Sequence, residues 1–199
     1  MNFLLATKNS GKLLELKELF VGIPFEFTSL VDHPDLQDVV EDGASFLDNA
    51  HKKALAAWMP GRWVLADDSG LCVDALSGAP GIYSARYAGE PSDSNANMIK
   101  LLEVLAATPD DRRTAHFTCT MVLLSPAKQM WSVEGRCNGV ILRERRGGHG
   151  FGYDPVFYLP ECGRTMAELT MEEKNRVSHR GKALRKVREI LVAQITNSP

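Results

Sequence analysis

The chain has 199 residues, 44% apolar and 24% charged, the proportions of one globular domain. Twenty-three Lys and Arg against 25 Asp and Glu give a formal charge of −2, which argues against a general polyanion binder. No apolar run approaches the roughly 20 residues that span a bilayer, and the opening Met1-Asn2-Phe3-Leu4-Leu5-Ala6-Thr7-Lys8 lacks the basic start and long apolar stretch of a signal peptide. The expectation is a cytoplasmic protein, one domain over 1–199, with no membrane or nucleic-acid partner.

Phe3-Leu4-Leu5-Ala6 is a short apolar run stopped by Thr7-Lys8-Asn9-Ser10-Gly11-Lys12. Leu13, Leu16, Leu19 and Phe20 then share one helical face. A second helix is expected from Ser45 to Trp58, with Phe46, Ala50, Ala54 and Ala57 on its buried side. Arg62 to Ala66 reads as a strand ended by Asp67-Asp68-Ser69-Gly70. Gly78-Ala79-Pro80-Gly81 requires a turn or loop. Ser92 is placed to cap a helix carrying Met98, Leu101, Leu102 and Leu105. His116 to Leu124 has the β-branched, apolar content of a central strand. Trp131 to Cys137 and Val140 to Leu142 read as further strands, joined by Asn138-Gly139 as a hairpin turn. Gly147 to Gly152 is too rich in glycine for regular structure, and a last helix runs from near Ser178 to about Ile195. Strands interspersed with helices give an α/β fold, and the hairpin-like middle gives a mixed sheet.

The four cysteines, Cys72, Cys119, Cys137 and Cys162, form no CxxC pair, and 18 residues is their shortest spacing. Structural zinc sites use closer ligand pairs, so these read as reduced thiols. Charge is uneven. Val31 to Asp48 holds six acids and no Lys or Arg, and Met171 to Glu189 holds seven Lys and Arg against three acids. Each run is either a solvated face or half of a site, acidic for a metal and basic for phosphate.

Several short segments can carry chemistry. Thr7 to Lys12 lies between a strand and a helix, where helix N–H groups favour an anion. Gly11 permits close backbone approach. The segment lacks the GxxxxGK[ST] pattern of a Walker loop, and a polar turn with a capping serine fits it equally. Asp67 and Asp68 are neighbours on an extended chain, so they point to opposite faces. One can then face a cleft while the other is held by structure, and the first can hold Mg²⁺, which takes few protein ligands, or act as a base on water. A capping turn is the alternative. Glu41-Asp42-Gly43 can add a second carboxylate, and Lys53 lies one helical turn after Asn49. Phe151, Gly152, Tyr153 and Asp154 offer aromatic faces and an acceptor suited to a flat heterocycle, or aromatic anchors of a loop. His179 and Arg180 sit in a helical first turn, where cations oppose the dipole and need an anionic or polar partner.

Taken in order, these blocks resemble the family of noncanonical purine nucleoside triphosphate pyrophosphatases, also called inosine triphosphate or XTP/dITP pyrophosphatases. The residues that carry the resemblance begin with Thr7 to Lys12, Asp48-Asn49-Ala50, Lys53-Ala54 and Asp67-Asp68-Ser69-Gly70-Leu71. It continues through Gly78-Ala79-Pro80-Gly81-Ile82-Tyr83-Ser84-Ala85-Arg86, Gly150 to Pro155 and Glu173 to Gly181, and so spans nearly the whole chain. The resemblance implies an elongated mixed β-sheet with flanking helices, two lobes around a central cleft, and a homodimer. It implies hydrolysis of ITP, dITP or XTP to the monophosphate and pyrophosphate with Mg²⁺.

Carried over residue by residue, Thr7, Lys8, Asn9, Ser10, Gly11 and Lys12 would hold the triphosphate. Asp68 would be proton acceptor and metal ligand, Ser69 would touch substrate and Lys53 would act near the phosphates. Phe151, Gly152, Tyr153, Asp154, Lys174, His179 and Arg180 would form the base and sugar pocket. Two departures stand out. The family often has two glutamates before Thr-Gly, whereas this chain has Val40-Glu41-Asp42-Gly43, and Glu41 is assigned to the metal. Asp48 replaces a frequent glutamate before Asn49. A Maf-like pyrophosphatase for modified pyrimidine nucleotides and a silent nucleotide-binding protein are the competing readings.

Overall fold

The structure is a computed structural model that describes residues 2–20, 26–36 and 39–196, without the side chains of 17–19. The expected helical-face position Leu19 and the acid Asp38 therefore lie outside the described side chains. The strands are β1 (Asn2–Leu5), β2 (Glu26–Ser29), β3 (Arg62–Val73), β4 (Thr114–Leu124), β5 (Met130–Ile141), β6 (Phe157–Leu159) and β7 (Arg164–Thr165). The helices are α1 (Ser10–Leu19), α2 (Phe46–Ala57), α3 (Ser94–Val104), α4 (Met171–Val177) and α5 (His179–Thr196). The seven strands run in the order β2-β1-β3-β4-β5-β6-β7. β1 is parallel to β2 and β3, whereas β6 is antiparallel to β5 and β7, so the sheet is mixed as expected. No described helix is long and apolar enough to cross a membrane, and all four cysteines are free thiols.

The chain divides into two compact units. Unit 1 comprises Met1–Asp68, Cys119–Gly135 and His179–Pro199, and its core follows strand alternation. Phe3, Leu5, Trp63 and Leu65 pack with Leu16 and Phe20 at α1 and with Ala183, Leu184, Val187 and Leu191 of α5. The intervening Leu4, Ala6, Val64 and Ala66 pack on Ala50, Ala54 and Ala57 of α2. Small side chains on α2 let its backbone approach the sheet. Ser45 caps α2, its side chain accepting from the Asp48 N–H. Phe46, expected on the buried side, is only half-buried. Gly135 is required where β5 meets the start of α5, because a Cβ there would lie 2.1 Å from the His179 carbonyl oxygen.

Unit 2 comprises Ser69–Thr118 and Arg136–Ser178. Its core joins Leu71 and Val73 with Met98, Leu101 and Leu105, and with Phe117, Tyr153, Val156 and Phe157. Arg113, 2% exposed, ties three segments together. It donates to the carbonyls of Leu105 (2.6 Å), Ile141 (2.7 Å) and Leu142 (2.9 Å).

Four local expectations change. The strand at Arg62 does not stop at Asp67 but runs on through Asp68, Ser69 and Gly70 to Val73. The cap of α3 is Asp93, which accepts from Asn95 and Ala96 N–H, while the Ser92 hydroxyl donates to the Ala85 carbonyl. Asn138-Gly139 lies inside the single strand β5 rather than in a turn. Gly139 serves close approach instead, since a Cβ would meet the Tyr158 carbonyl oxygen at 2.5 Å and the Phe157 ring at 2.6 Å. The chain reverses at Ser125–Gln129, where Lys128 adopts φ 66°. Helix α4, not foreseen, ends at Ser178, its C-cap.

Replacing Arg113 by Ala leaves the carbonyls of Leu105, Ile141 and half-buried Leu142 without their charged donor and lowers stability by about 3 kcal/mol or more. Urea unfolding of Arg113→Ala against Arg143→Ala, whose side chain is exposed, checks this. Equal midpoints for the two variants would contradict it.

Candidate active site

The turn before α1 is built by its own side chains. Asn9 is the N-cap and its Oδ1 accepts from the Lys12 N–H at 3.0 Å. Thr7 Oγ1 accepts from the Asn9 N–H at 3.2 Å. The sequence suggested a serine cap, but Ser10 is already the first helical residue. Asn9 takes the role because its amide oxygen reaches the third N–H. Lys8, Asn9 and Ser10 are exposed at this helix start, where backbone N–H groups favour an anion.

Alternation along β3 sets the rest of unit 1. Asp67 continues the row of Trp63 and Leu65, and so faces α1 and α5. Its Oδ2 lies 2.9 Å from Lys12 Nζ and 3.5 Å from an Arg180 Nη. Arg180 also donates to Glu15 Oε2 at 2.5 Å. Asp67, Arg180 and Glu15 are all at most 3% exposed. Burial pushes the Asp67 carboxyl up, but Lys12, Arg180 and Lys53 outweigh it and hold Asp67 well below the ordinary carboxylate range. Burial pulls Arg180 down, and Asp67 and Glu15 reverse that and hold it charged. The cation in the first turn of α5 therefore has its anionic partners inside the protein.

Asp68 continues the row of Val64 and Ala66, and so faces α2. Its Oδ2 accepts from Asn49 Nδ2 at 3.0 Å, and its Oδ1 lies 3.8 Å from Lys53 Nζ. The same ammonium donates to Glu41 Oε1 at 2.9 Å. Burial raises the Asp68 carboxyl, against the pull of Lys53 and Asn49. Burial lowers Lys53, but Asp67, Asp68 and Glu41 more than reverse it, so it stays protonated. The acidic stretch is thus answered by α2, with Lys52 on Asp42 at 2.5 Å and Lys53 on Glu41. Among the described residues no group of three His, Cys, Asp or Glu forms a metal cage. Two carboxylates converging on one cationic group do match the sparse protein ligation of Mg²⁺.

A second constellation lies in unit 2. Asp154, buried, accepts from Lys174 Nζ at 2.6 Å and from the Phe151 N–H at 2.9 Å through one oxygen. The Lys174 ammonium stands 4.8 Å from the Phe151 ring centroid. Gly150, at φ 78°, is needed because a Cβ would meet that Asp154 oxygen at 2.2 Å. Tyr153 is buried and its hydroxyl donates to the Ser84 carbonyl at 2.9 Å. Ser84 Oγ in turn accepts from the Leu71 N–H at 2.9 Å. Tyr153 thus anchors the loop through its hydroxyl. Ser69 and Gly152 are half-buried, and His179, the first residue of α5, is buried.

The structure therefore brings Glu41, Lys53 and Asp68 together, and links Lys12 to Arg180 through Asp67. Lys174, Asp154 and Phe151 form a separate cluster. Arg180, grouped with that cluster from sequence, is held in unit 1 by Glu15 and Asp67. Glu15 was missed. It stands 165 residues from its partner in the chain, and a lone glutamate on a helix gives no local signal. Asn49 entered only as part of a motif, without a role.

Removing one partner of a buried ion pair strands the other. Glu15→Gln accordingly lowers unfolding free energy by about 3 kcal/mol, whereas Glu172→Gln, which breaks an exposed pair with Arg176, changes it by less than about 1 kcal/mol. Chemical denaturation of both variants checks the contrast, which two equal losses would contradict.

Comparison with known proteins places the chain in a family. The model of the Ham1 family matches residues 3–190. The chain is 55% identical over 192 residues to the dITP/XTP pyrophosphatase of Desulforamulus reducens, covering 96% of each chain. It is 53% identical over 180 residues to the dITP/XTP pyrophosphatase of Geobacter sulfurreducens, covering 90% of each. Among solved structures, the Staphylococcus aureus Ham1 protein superposes with a TM-score of 0.86 at 38% identity, over 98% of this chain and 100% of that one. A HAM1 protein from Coxiella burnetii gives 0.87 at 41% identity, over 97% and 99%. With the family model spanning β1 to α5 and relatives matched over nearly their whole length, the chain belongs to the Ham1 family.

Proposed function

We infer that this chain is a nucleoside triphosphate pyrophosphatase that hydrolyses dITP, ITP and XTP to the monophosphate and pyrophosphate, clearing them before incorporation into nucleic acid. The carrying observation is that Asp67 is neutralised by Lys12 and Arg180, while Asp68, one residue on, shares Lys53 with Glu41. The names of the relatives give the substrate class. Bare carboxylates beside phosphates gain a binding protein little, which disfavours the silent nucleotide binder. The family match disfavours the Maf-like reading.

Thr7, Lys8, Asn9, Ser10, Gly11 and Lys12 receive the phosphates, through α1 N–H groups and the lysine ammonium groups. Asp68 orients and deprotonates the water that attacks the α-phosphorus, with its second oxygen fixed by Asn49. Lys53 offsets charge on the leaving oxygens. Glu41 and Asp68 would hold Mg²⁺, which when bound polarises the phosphates and neutralises developing charge. Ser69 touches substrate next to Asp68.

At the base end, Phe151 supplies a stacking face, with Gly152 and Tyr153 shaping its loop. Asp154 fixes Lys174 as a donor. Lys174 and the loop N–H groups are the donors assigned to O6, while His179 and Arg180, assigned to the base and sugar pocket by the family resemblance, open α5 in unit 1, where Arg180 is engaged by Glu15 and Asp67. A lysine ammonium donates but does not accept, so an adenine amino group would face donors with no acceptor, which makes rejection strong. Mg²⁺ as the metal, a homodimer and a cytoplasmic location complete the proposal, each resting on the family resemblance.

Product analysis with dITP, XTP, dGTP, dATP and dTTP tests the reading. The expected result is Mg²⁺-dependent release of pyrophosphate rather than orthophosphate, from dITP and XTP at least tenfold faster than from the other three. Equal turnover of all five, or none of dITP and XTP, would contradict it.

A further inference from the structure

The proposed metal carboxylates reach their places from different parts of unit 1. Glu41 comes from an irregular segment before α2, and Asp68 from β3. One buried side chain, Asn49 of α2, bonds to both sides. Its Nδ2 donates to Asp68 Oδ2 at 3.0 Å, and its Oδ1 accepts from the Gly43 N–H at 2.8 Å. Gly43 lies two residues after Glu41, and Lys53, one turn after Asn49, touches Glu41 itself. Asn49 is 0% exposed.

The residue type is specified by this geometry. An amide offers a donor at one end and an acceptor at the other. A flipped amide would set its oxygen against the Asp68 carboxylate and its N–H₂ against the Gly43 N–H. Aspartate would place two carboxylates together, and serine is too short to reach both partners. Glycine at 43 belongs to the same device, because a Cβ there would lie 2.6 Å from Asn49 Oδ1 and 2.7 Å from Asp48 Cβ.

We propose that Asn49 is a positioning residue that holds the Glu41 segment and Asp68 in one register, so that the two carboxylates are presented together to a single divalent cation. With Asp68 Oδ2 occupied by the amide, Oδ1 is the oxygen directed toward Lys53 and Glu41. The inference rests on the metal assignment of the proposed function. Groups that orient metal ligands commonly change metal affinity ten- to a hundredfold when removed.

The test uses the full-length protein and two variants that strike the same amide from opposite sides, Asn49→Ala and Gly43→Ala. Mn²⁺ alone is titrated into substrate-free protein and followed by electron paramagnetic resonance. The Mg²⁺ concentration for half-maximal dITP turnover and the KM for dITP at saturating Mg²⁺ are measured in parallel. Circular dichroism and the melting temperature show which variants fold. The expected result is Mn²⁺ binding and Mg²⁺ half-saturation both weakened about tenfold or more, with the dITP KM changed less than threefold. A folded variant that binds Mn²⁺ within threefold of the wild type overturns the proposal, as does a rise in the dITP KM with unchanged Mg²⁺ half-saturation. If Asn49→Ala does not fold, Gly43→Ala decides alone. Failure of the proposed function reads differently: the wild type would release no pyrophosphate from dITP, while the Mn²⁺ titrations would still judge Asn49. A wild type that binds no Mn²⁺ overturns the inference together with the metal assignment.

Discussion

Everything in the candidate site of unit 1 depends on the two-residue period of β3. Side chains alternate along an extended strand, and the apolar rows upstream fix which face is which. Trp63 and Leu65 are committed to the α1 and α5 side, and Val64 and Ala66 to the α2 side. Because the strand continues through the two aspartates instead of ending at them, Asp67 and Asp68 inherit those faces. A slip of one residue would bury four apolar side chains on the wrong sides and exchange the aspartates. Packing of the core therefore holds the chemistry in register.

The two carboxylates then meet opposite electrostatics. Asp67 is fully enclosed by cations, with Lys12 and Arg180 on its Oδ2 and Glu15 balancing the guanidinium. Uncompensated, such burial would cost several kcal/mol per ion, so the group works as a bolt joining α1, β3 and α5. Asp68 has an amide on one oxygen and an ammonium 3.8 Å from the other. These surroundings suit the role of ligand and base proposed for it. The alanine face of α2 makes this possible. Ala50, Ala54 and Ala57 let the helix settle on the sheet, which brings Asn49 and Lys53, an i,i+4 pair, to Asp68 within β3.

Much of this was legible from the residues. The periodicity located α1, α2, α5 and the central strand, and alternation predicted that Asp67 and Asp68 diverge. Sequence patterns failed where tertiary contact decides. Asn138-Gly139 carries a turn signature, yet Gly139 is there to admit Phe157 and Tyr158. Ser92 and Asp93 can both cap, and only the Ala85 carbonyl, seven residues upstream, draws Ser92 away. Arg180 was seen to need an anionic partner, but which one depends on Glu15 and Asp67, far away in the chain. Tyr153 reads as a stacking residue until its hydroxyl is found on Ser84, 69 positions earlier.

In the proposed function two adjacent, chemically identical residues have divided roles, Asp67 structural and Asp68 catalytic. The most direct measurement compares Asp67→Asn with Asp68→Asn, each by denaturant unfolding and by initial rate of pyrophosphate release from dITP. The account predicts that Asp67→Asn loses about 3 kcal/mol or more of stability, having removed the carboxylate shared by buried Arg180 and half-buried Lys12. Asp68→Asn should keep its unfolding free energy within about 1 kcal/mol while its turnover falls by about a hundredfold or more. Near wild-type turnover in Asp68→Asn, or unchanged stability in Asp67→Asn, would contradict it.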